Sequence, residues 1–468
     1  PHHGVLSGDG ALYVTYGDAP GPNGMSDGAV WKVDARKDVW SNVTPIKPAE
    51  GDKFGYAGVS ADAKSPQTLV VTTMDRWAKH DTIFRTKDGG KTWKDLGPES
   101  VRDSSQAPFL KWGRPNADAG HWMGDIEIDP FTPDRVLYVT GMGIWTSSDM
   151  TAADKGMPTH WHVGANGLEE LVVNDMVSPS SGAPLLSAVW DVDGFRHTDI
   201  NESPATGFYQ PARGRNTGID FAEKNPNIVA RVYGGGTGGA HSADNGVTWK
   251  EFGAKPSAKG DGTIAVSADG ATFVWTPENA GAFVSKNKGT TWMPSKGLPP
   301  KRRVTSDRVN PNTFYGLDND SGTLYVSTNG GLSFAAKASG LPTGDGFVRT
   351  AFGKEGDVWL AAAGDGLRHS TDGGVTFSKI TGVQDARRIG FGKAAPGRDY
   401  PSAYITGKVG GVEGFFRSDD GGATWVRVND DAHDFHYINA ITGDQREYGR
   451  VYLATGGRGI IVGDIKRQ

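Results

Sequence analysis

The sequence predicts an all-β protein built from four-stranded β-propeller blades, and three observations carry that prediction. A short phrase recurs at blade-sized intervals, apolar residues alternate with polar ones between the copies, and stretches with helical periodicity are hard to find. Glycine accounts for 68 of 468 residues, about twice its ordinary share, yet follows no triplet period. That usage suits many short strands joined by tight turns.

The recurring phrase is Ser/Thr-x-Asp/Asn-x-Gly-x-Thr/Ser-Trp/Phe. Copies run from Thr86 to Trp93, Ser242 to Trp249, Ser285 to Trp292, Ser327 to Phe334, Ser370 to Phe377 and Ser418 to Trp425. The acidic or amide positions Asp244, Asn287, Asn329, Asp372 and Asp420 are spaced by 43, 42, 43 and 48 residues. One blade of about 40–50 residues per copy is the natural unit. The phrase is a hairpin turn: the carboxylate or amide bonds nearby backbone amides, the glycines supply positive φ, and the closing aromatic re-enters the core. This is the Asp-box pattern, and its aspartates are expected to hold turns rather than touch a substrate.

Between the boxes lie strand, proline turn, strand units. Ile126-Glu127-Ile128-Asp129-Pro130 leads through Pro133 to Val136-Leu137-Tyr138-Val139, and Asn225-Pro226-Asn227 and Asn310-Pro311-Asn312 repeat the device. Counting blades places a boundary near residue 165. Residues 166–468 then form a seven-bladed propeller at about 43 residues per blade, with blades starting near Glu170, Gly218, Gly262, Arg303, Gly346, Arg388 and Ile438. Residues 1–165 hold about three blades, at 12–43, 58–93 and 123–163. Three blades do not close a ring and would leave unpaired edges, so the rest of the first propeller is expected upstream or on another polypeptide.

Bulk properties exclude other classes. The formal charge of -5 is spread along the chain rather than blocked, so nucleic acid is not an expected partner. No apolar run approaches the roughly 20 residues a bilayer span requires, and no signal-peptide pattern is visible. A membrane partner is not expected either. The absence of cysteine rules out disulfides and thiolate metal sites. The start, Pro1-His2-His3-Gly4, reads as a processed or trimmed piece.

Longer phrases point to a family. They include Leu12-Tyr13-Val14-Thr15-Tyr16-Gly17-Asp18, Thr72-Thr73-Met74-Asp75-Arg76-Trp77, Trp122-Met123-Gly124-Asp125 and Gly167-Leu168-Glu169-Glu170 with Val173-Asn174-Asp175. Ser181-Gly182-Ala183-Pro184-Leu185-Leu186-Ser187-Ala188 and Asp191-Val192-Asp193-Gly194-Phe195-Arg196-His197 are narrower still. With them the chain resembles glycoside hydrolase family 74, the xyloglucanases, over nearly its whole length. The resemblance implies tandem seven-bladed propellers facing an open cleft, secretion, and cofactor-free inverting hydrolysis of the β-1,4-glucan backbone of xyloglucan. It implies two catalytic aspartates, one per propeller. The one in the second propeller matches Asp191, as general acid. The phrase carrying the other, Thr-Asp-Val-Gly-Gly-Ala-Tyr, is not found here, so that aspartate is expected upstream.

The chain departs from the family pattern in having Trp190 before the aspartate and Asp193 two residues after it, where glycines are usual. Asp193 could raise the pKa of Asp191 by repulsion or could itself be the acid, because residues two apart on a strand share a face. Asp191 is preferred since it holds the motif position; a reading in which both cap a turn also stands. Sugar rings stack on flat aromatics, which makes Trp77, Trp112, Trp122 and Trp190 candidate platforms. Asn174, Asp175, Arg196 and His197 are candidates for hydroxyl contacts or for support behind them. The alternative function is a non-catalytic propeller that binds a glycan or a protein. A sialidase is disfavoured, since no arginine trio with a Tyr-Glu pair is found.

Overall fold

Short β-branched and aromatic runs cut by Gly, Asn and Pro give strands of only a few residues, too short to be stable except in stacked sheets. The computed structural model describes residues 1–107, 120–141, 143–164, 171–257 and 259–466. It divides into two compact units, Pro1–Glu170 and Leu171–Gln468. Nearly all regular structure is antiparallel β, with one short 3-10 helix, Met150–Lys155, among the described residues. Trp112 and the phrase 167–170 lie outside the described residues.

Among its described residues the first unit holds three sheets. Strands Gly4–Leu6, Leu12–Gly17, Gly28–Asp34 and Val39–Asn42 pair in sequence order, as do Gly55–Ala61, Leu69–Met74, Ile83–Thr86 and Lys94–Asp95. The third runs Asp125–Ile128, Val136–Thr140, Gly143–Ser147 and Thr159–Val163, and its outer edge takes Ser100–Asp103 as a parallel fifth strand. Tyr13, Val30, Phe54, Tyr56, Val59 and Leu69 fill the space between the first two sheets.

The second unit carries seven sheets among its described residues, each pairing in simple meander order. Their first strands are Val173–Val177, Asn216–Ala222, Thr263–Val266, Val304–Ser306, Phe347–Thr350, Val383–Gly392 and Ile438–Gly443. Each of these packs beside the next, and Ile438–Gly443 comes back against Val173–Val177. Asn439 Nδ2 donates to the Val173 carbonyl at 2.9 Å across that seam, and the Gly459 amide donates to the Leu171 carbonyl at 2.9 Å. Apolar clusters fill the gaps between successive sheets, as with Ile219, Phe221 and Val229 in the first gap.

The recurring phrase folds as one turn throughout. In the copy at Ser242, Asp244 Oδ1 accepts from the Ser242 hydroxyl at 2.7 Å and from the Thr248 amide at 2.8 Å. The Gly246 amide donates to Ser242 Oγ at 2.8 Å, and Trp249 packs on the cluster of the same gap. Asn287 and Asn329 accept the same backbone bonds, from Thr291 and Ser333.

Candidate active site

The Asp191 segment joins two strands of the first sheet of the second unit, Leu185–Val189 and Arg196–His197. The sequence suggested an extended strand here; the structure has a turn, and the difference separates the two acids. The Val189 amide donates to the Asp193 carbonyl at 2.8 Å, and the Gly194 amide to the Val192 carbonyl at 2.9 Å. Asp193 takes φ 69° and Gly194 φ 149°. A Cβ at Gly194 would lie 2.0 Å from the Ser187 carbonyl oxygen, so the turn needs glycine there. The chain reverses within five residues, and alternation no longer applies. Asp191 is exposed, while Asp193 is 0% exposed.

Asp193 is held from three sides. Its Oδ1 pairs with Arg231 Nη1, and its Oδ2 accepts the amides of Arg213 and of Gly214, the latter at 3.2 Å. Burial pushes its carboxyl pKa up, against the pull of the Arg231 guanidinium and the Arg213 amide. Sequence reasoning missed Arg231, because a lone arginine inside the apolar strand Asn225–Tyr233 carries no motif. An arginine amid such a run is nonetheless the signal of a buried counter-ion.

Trp190 lies beside Asp191 and is 38% exposed. The Arg215 guanidinium covers its ring at 4.9 Å, and Arg215 Nε donates to Asp261 Oδ1 at 3.3 Å. Nearby, Arg213 forms a two-point ion pair with Glu251 at 2.9 and 3.0 Å, and the Tyr233 hydroxyl donates to the same carboxylate at 2.9 Å. The Asp191 turn is therefore flanked by two paired arginines and an indole.

The remaining candidates in this unit make supporting contacts within the fold. Asn174 Nδ2 donates to the Asn216 carbonyl at 2.7 Å. Asp175 is buried at the ring centre, where Arg303 Nη2 donates at 2.7 Å and Arg349 Nη2 at 3.3 Å. Burial and the neighbouring Arg303 push Arg349 down to about 9. Arg196 Nε donates to the Asn245 carbonyl at 2.9 Å, and His197 Nε2 lies 3.1 Å from Ser187 Oγ. Burial pushes His197 down to about 4, leaving it neutral.

The end of the ring where first strands begin is also the end where Val189 pairs with Val173 and the Asp191 turn emerges. At that end opens a cavity of about 320 Å³ lined by Asn174, Arg303, Asn319, Phe347, Arg388 and Asn439 among others. The guanidiniums of Arg303, Arg349 and Arg388 lie 4.7, 4.5 and 5.2 Å from the centre of the Phe347 ring.

In the first unit, Trp77 and Trp122 come together. Trp77 is 52% exposed and meets Trp122 edge to face at 6.0 Å, with His121 at 5.0 Å from Trp77. Trp77 Nε1 donates to Asp75 Oδ1 at 2.7 Å, and the Trp122 amide to Asp81 Oδ2 at 2.8 Å. Two buried carboxylates thus fix an exposed aromatic patch. Among the described residues, His3, Asp125 and Glu127 bring three donor atoms within 4.8 Å of one another and could hold a cation. His3 Nδ1 already bonds Asp125 Oδ1 at 2.8 Å, and Glu127 accepts the Ser60 hydroxyl at 2.7 Å.

Successive four-stranded meanders with a carboxylate and an indole on an exposed turn define a β-propeller protein whose structural neighbours are enzymes. No family model matches the chain. A xyloglucanase of Acetivibrio thermocellus is 45% identical over 99% of this chain and 58% of its own length. A xyloglucanase of a Paenibacillus species is 42% identical over 99% of this chain and 48% of its own length, so the chain spans about half the length of such relatives. The oligoxyloglucan-reducing end-specific xyloglucanase of Emericella nidulans is 35% identical over 100% of this chain and 67% of its own. The crystal structure of the family 74 xyloglucanase from Xanthomonas campestris superposes with a TM-score of 0.89 at 39% identity, covering 99% of this chain and 67% of that one. The chain belongs to glycoside hydrolase family 74.

Proposed function

We propose that this chain is part of a secreted, inverting glycoside hydrolase that cleaves the β-1,4-glucan backbone of xyloglucan, with Asp191 as the general acid. The observation that supports it most is Asp191 itself: an exposed carboxyl group on a turn fixed from below, beside an exposed indole. Inversion pairs a carboxylic acid with a carboxylate about 6.5–9.5 Å away, leaving room for water between base and sugar. In this reading Asp191 gives its proton to the glycosidic oxygen, the bond to the anomeric carbon breaks, and water adds from the opposite face while the base takes its proton. The base is assigned to an aspartate outside this chain. The relatives named as xyloglucanases supply the substrate class.

Residues 166–468 act here as a whole seven-bladed propeller and residues 1–165 as blades of a second. Trp77 and Trp122 serve as stacking platforms from the first, and Trp190 from the second. Asp193 stays out of proton transfer, because its oxygens are spent on Arg231 and two backbone amides. The test is reducing-sugar release from xyloglucan by the full enzyme and by its Asp191→Ala form. A loss of about 10²–10⁴-fold is expected for removal of a general acid. A variant that keeps the parental rate would sink the assignment and leave a glycan-binding propeller.

A further inference from the structure

The carboxyl group assigned as the acid stands on a turn whose shape is set by two charged residues that never reach solvent. Asp193 and Arg231 are both 0% exposed. Besides its pairing with Asp193, Arg231 donates from Nη2 to the Pro211 carbonyl at 3.2 Å. Its guanidinium lies 5.0, 5.0 and 4.9 Å from the ring centres of Tyr209, Tyr233 and Trp249. The Asp193 amide in turn donates to the Gly214 carbonyl at 2.9 Å. One ion pair thereby ties the Asp191 turn, the segment 209–214 and the strand Asn225–Tyr233 into a single unit.

Stability alone is a poor reason for such a pair. Desolvating two charges costs about as much as their attraction returns, and apolar replacements of similar volume often do no worse. Geometry is a better reason. Asp193 at φ 69° is in a left-handed conformation that persists only where its surroundings over-determine it. The paired carboxylate provides that constraint, two residues from Asp191.

We propose that the Asp193–Arg231 pair is a positioning device for Asp191, fixing the turn so that the acid meets the glycosidic oxygen. The proposal rests on Asp191 being the acid. Neither residue touches substrate; both act through the backbone of the turn. Misplacing a catalytic group by about 1 Å is enough to cost about 100-fold in rate.

The experiment measures kcat and KM on xyloglucan for the full enzyme carrying Asp193→Asn, Arg231→Lys or Arg231→Ala, with Asp191→Ala alongside. Asp193→Asn keeps the shape and removes the charge; kcat is expected to fall about 100-fold while KM stays within about two-fold. Arg231→Ala opens a guanidinium-sized space among Tyr209, Tyr233 and Trp249, and added ethylguanidinium is expected to restore kcat. If Asp193→Asn is recovered unfolded, Arg231→Lys decides: a lower kcat at unchanged KM supports the device. Parental kcat in the folded charge variants, or loss in Arg231→Ala that ethylguanidinium does not relieve, overturns it. An Asp191→Ala form at full rate overturns the acid assignment instead, so the two failures are distinguishable.

Discussion

Asp244 and Asn287 occupy equivalent places in two copies of the same turn, and comparing them shows what the carboxylate does. Each accepts the amide four residues on, and each bonds the hydroxyl there: Thr248 Oγ1 donates to Asp244 at 2.5 Å, and Asn287 Nδ2 donates to Thr291 Oγ1 at 2.8 Å. The charge is therefore dispensable to the turn, but it titrates. Burial is the largest single influence and raises the Asp244 pKa, yet the bonds from the Thr248 hydroxyl and amide and the Ser242 hydroxyl together outweigh it and hold the carboxyl below the usual range. A folded pKa below the unfolded one stabilises at pH values above the unfolded pKa of about 3.9, and that contribution is lost as pH falls through the folded value. Asp244→Asn is expected to match the parent within about 0.5 kcal/mol at pH 7 and to lose stability less steeply as pH falls below about 4, by chemical denaturation. Asp244→Ala, which lacks an acceptor, is expected to cost about 1–2 kcal/mol. His197 adds a dependence of the same sign at higher pH: burial holds its pKa near 4, so the folded state resists protonation and stability declines as pH drops below about 6.5. His197→Gln is expected to remove that part of the decline.

At the scale of the element, the turn between Leu185–Val189 and Arg196–His197 is the smallest piece that joins fold to chemistry. Its glycine is not interchangeable. Gly194→Ala forces a methyl against the Ser187 carbonyl, 2.0 Å from the position a Cβ takes. The expected outcome is a lowered unfolding midpoint, by about 1–3 kcal/mol of strain, together with loss of hydrolysis of xyloglucan. The alternative result, full activity in a folded variant, would mean that the turn's shape is immaterial to Asp191. The turns of the recurring phrase were legible before the fold because each bond lies within eight residues. The Asp191 turn was not: Asp193 and Arg231 are 38 residues apart and on different sheets.

For the whole second unit, closure depends on contacts between its first and last sheets and on charge at its centre. Asp175, in the first sheet, meets Arg303 and Arg349 from sheets far along the chain. Asp175→Asn leaves two guanidiniums without their shared counter-ion, and a loss of about 3–5 kcal/mol is expected from denaturant unfolding. Asn439→Ala removes the bond to the Val173 carbonyl across the seam and is expected to cost about 1 kcal/mol. Among the described residues no helix is long and apolar enough to cross a membrane.

By itself the sequence determined the all-β class, the turn chemistry of the repeats and the family, because each depends on residues near one another in the chain. It also singled out Asp191 and Asp193 and preferred Asp191 for its motif position alone, since a pattern of two residues cannot show whether the backbone between them runs straight or reverses. Only the tertiary structure decided that one carboxylate faces solvent and the other a buried arginine. It brought Trp77 and Trp122 together while placing Asp175 among arginines at the ring centre and His197 against Ser187. The physical reason is that burial and charge pairing are set by segments tens to hundreds of residues apart, whose meeting no local pattern records.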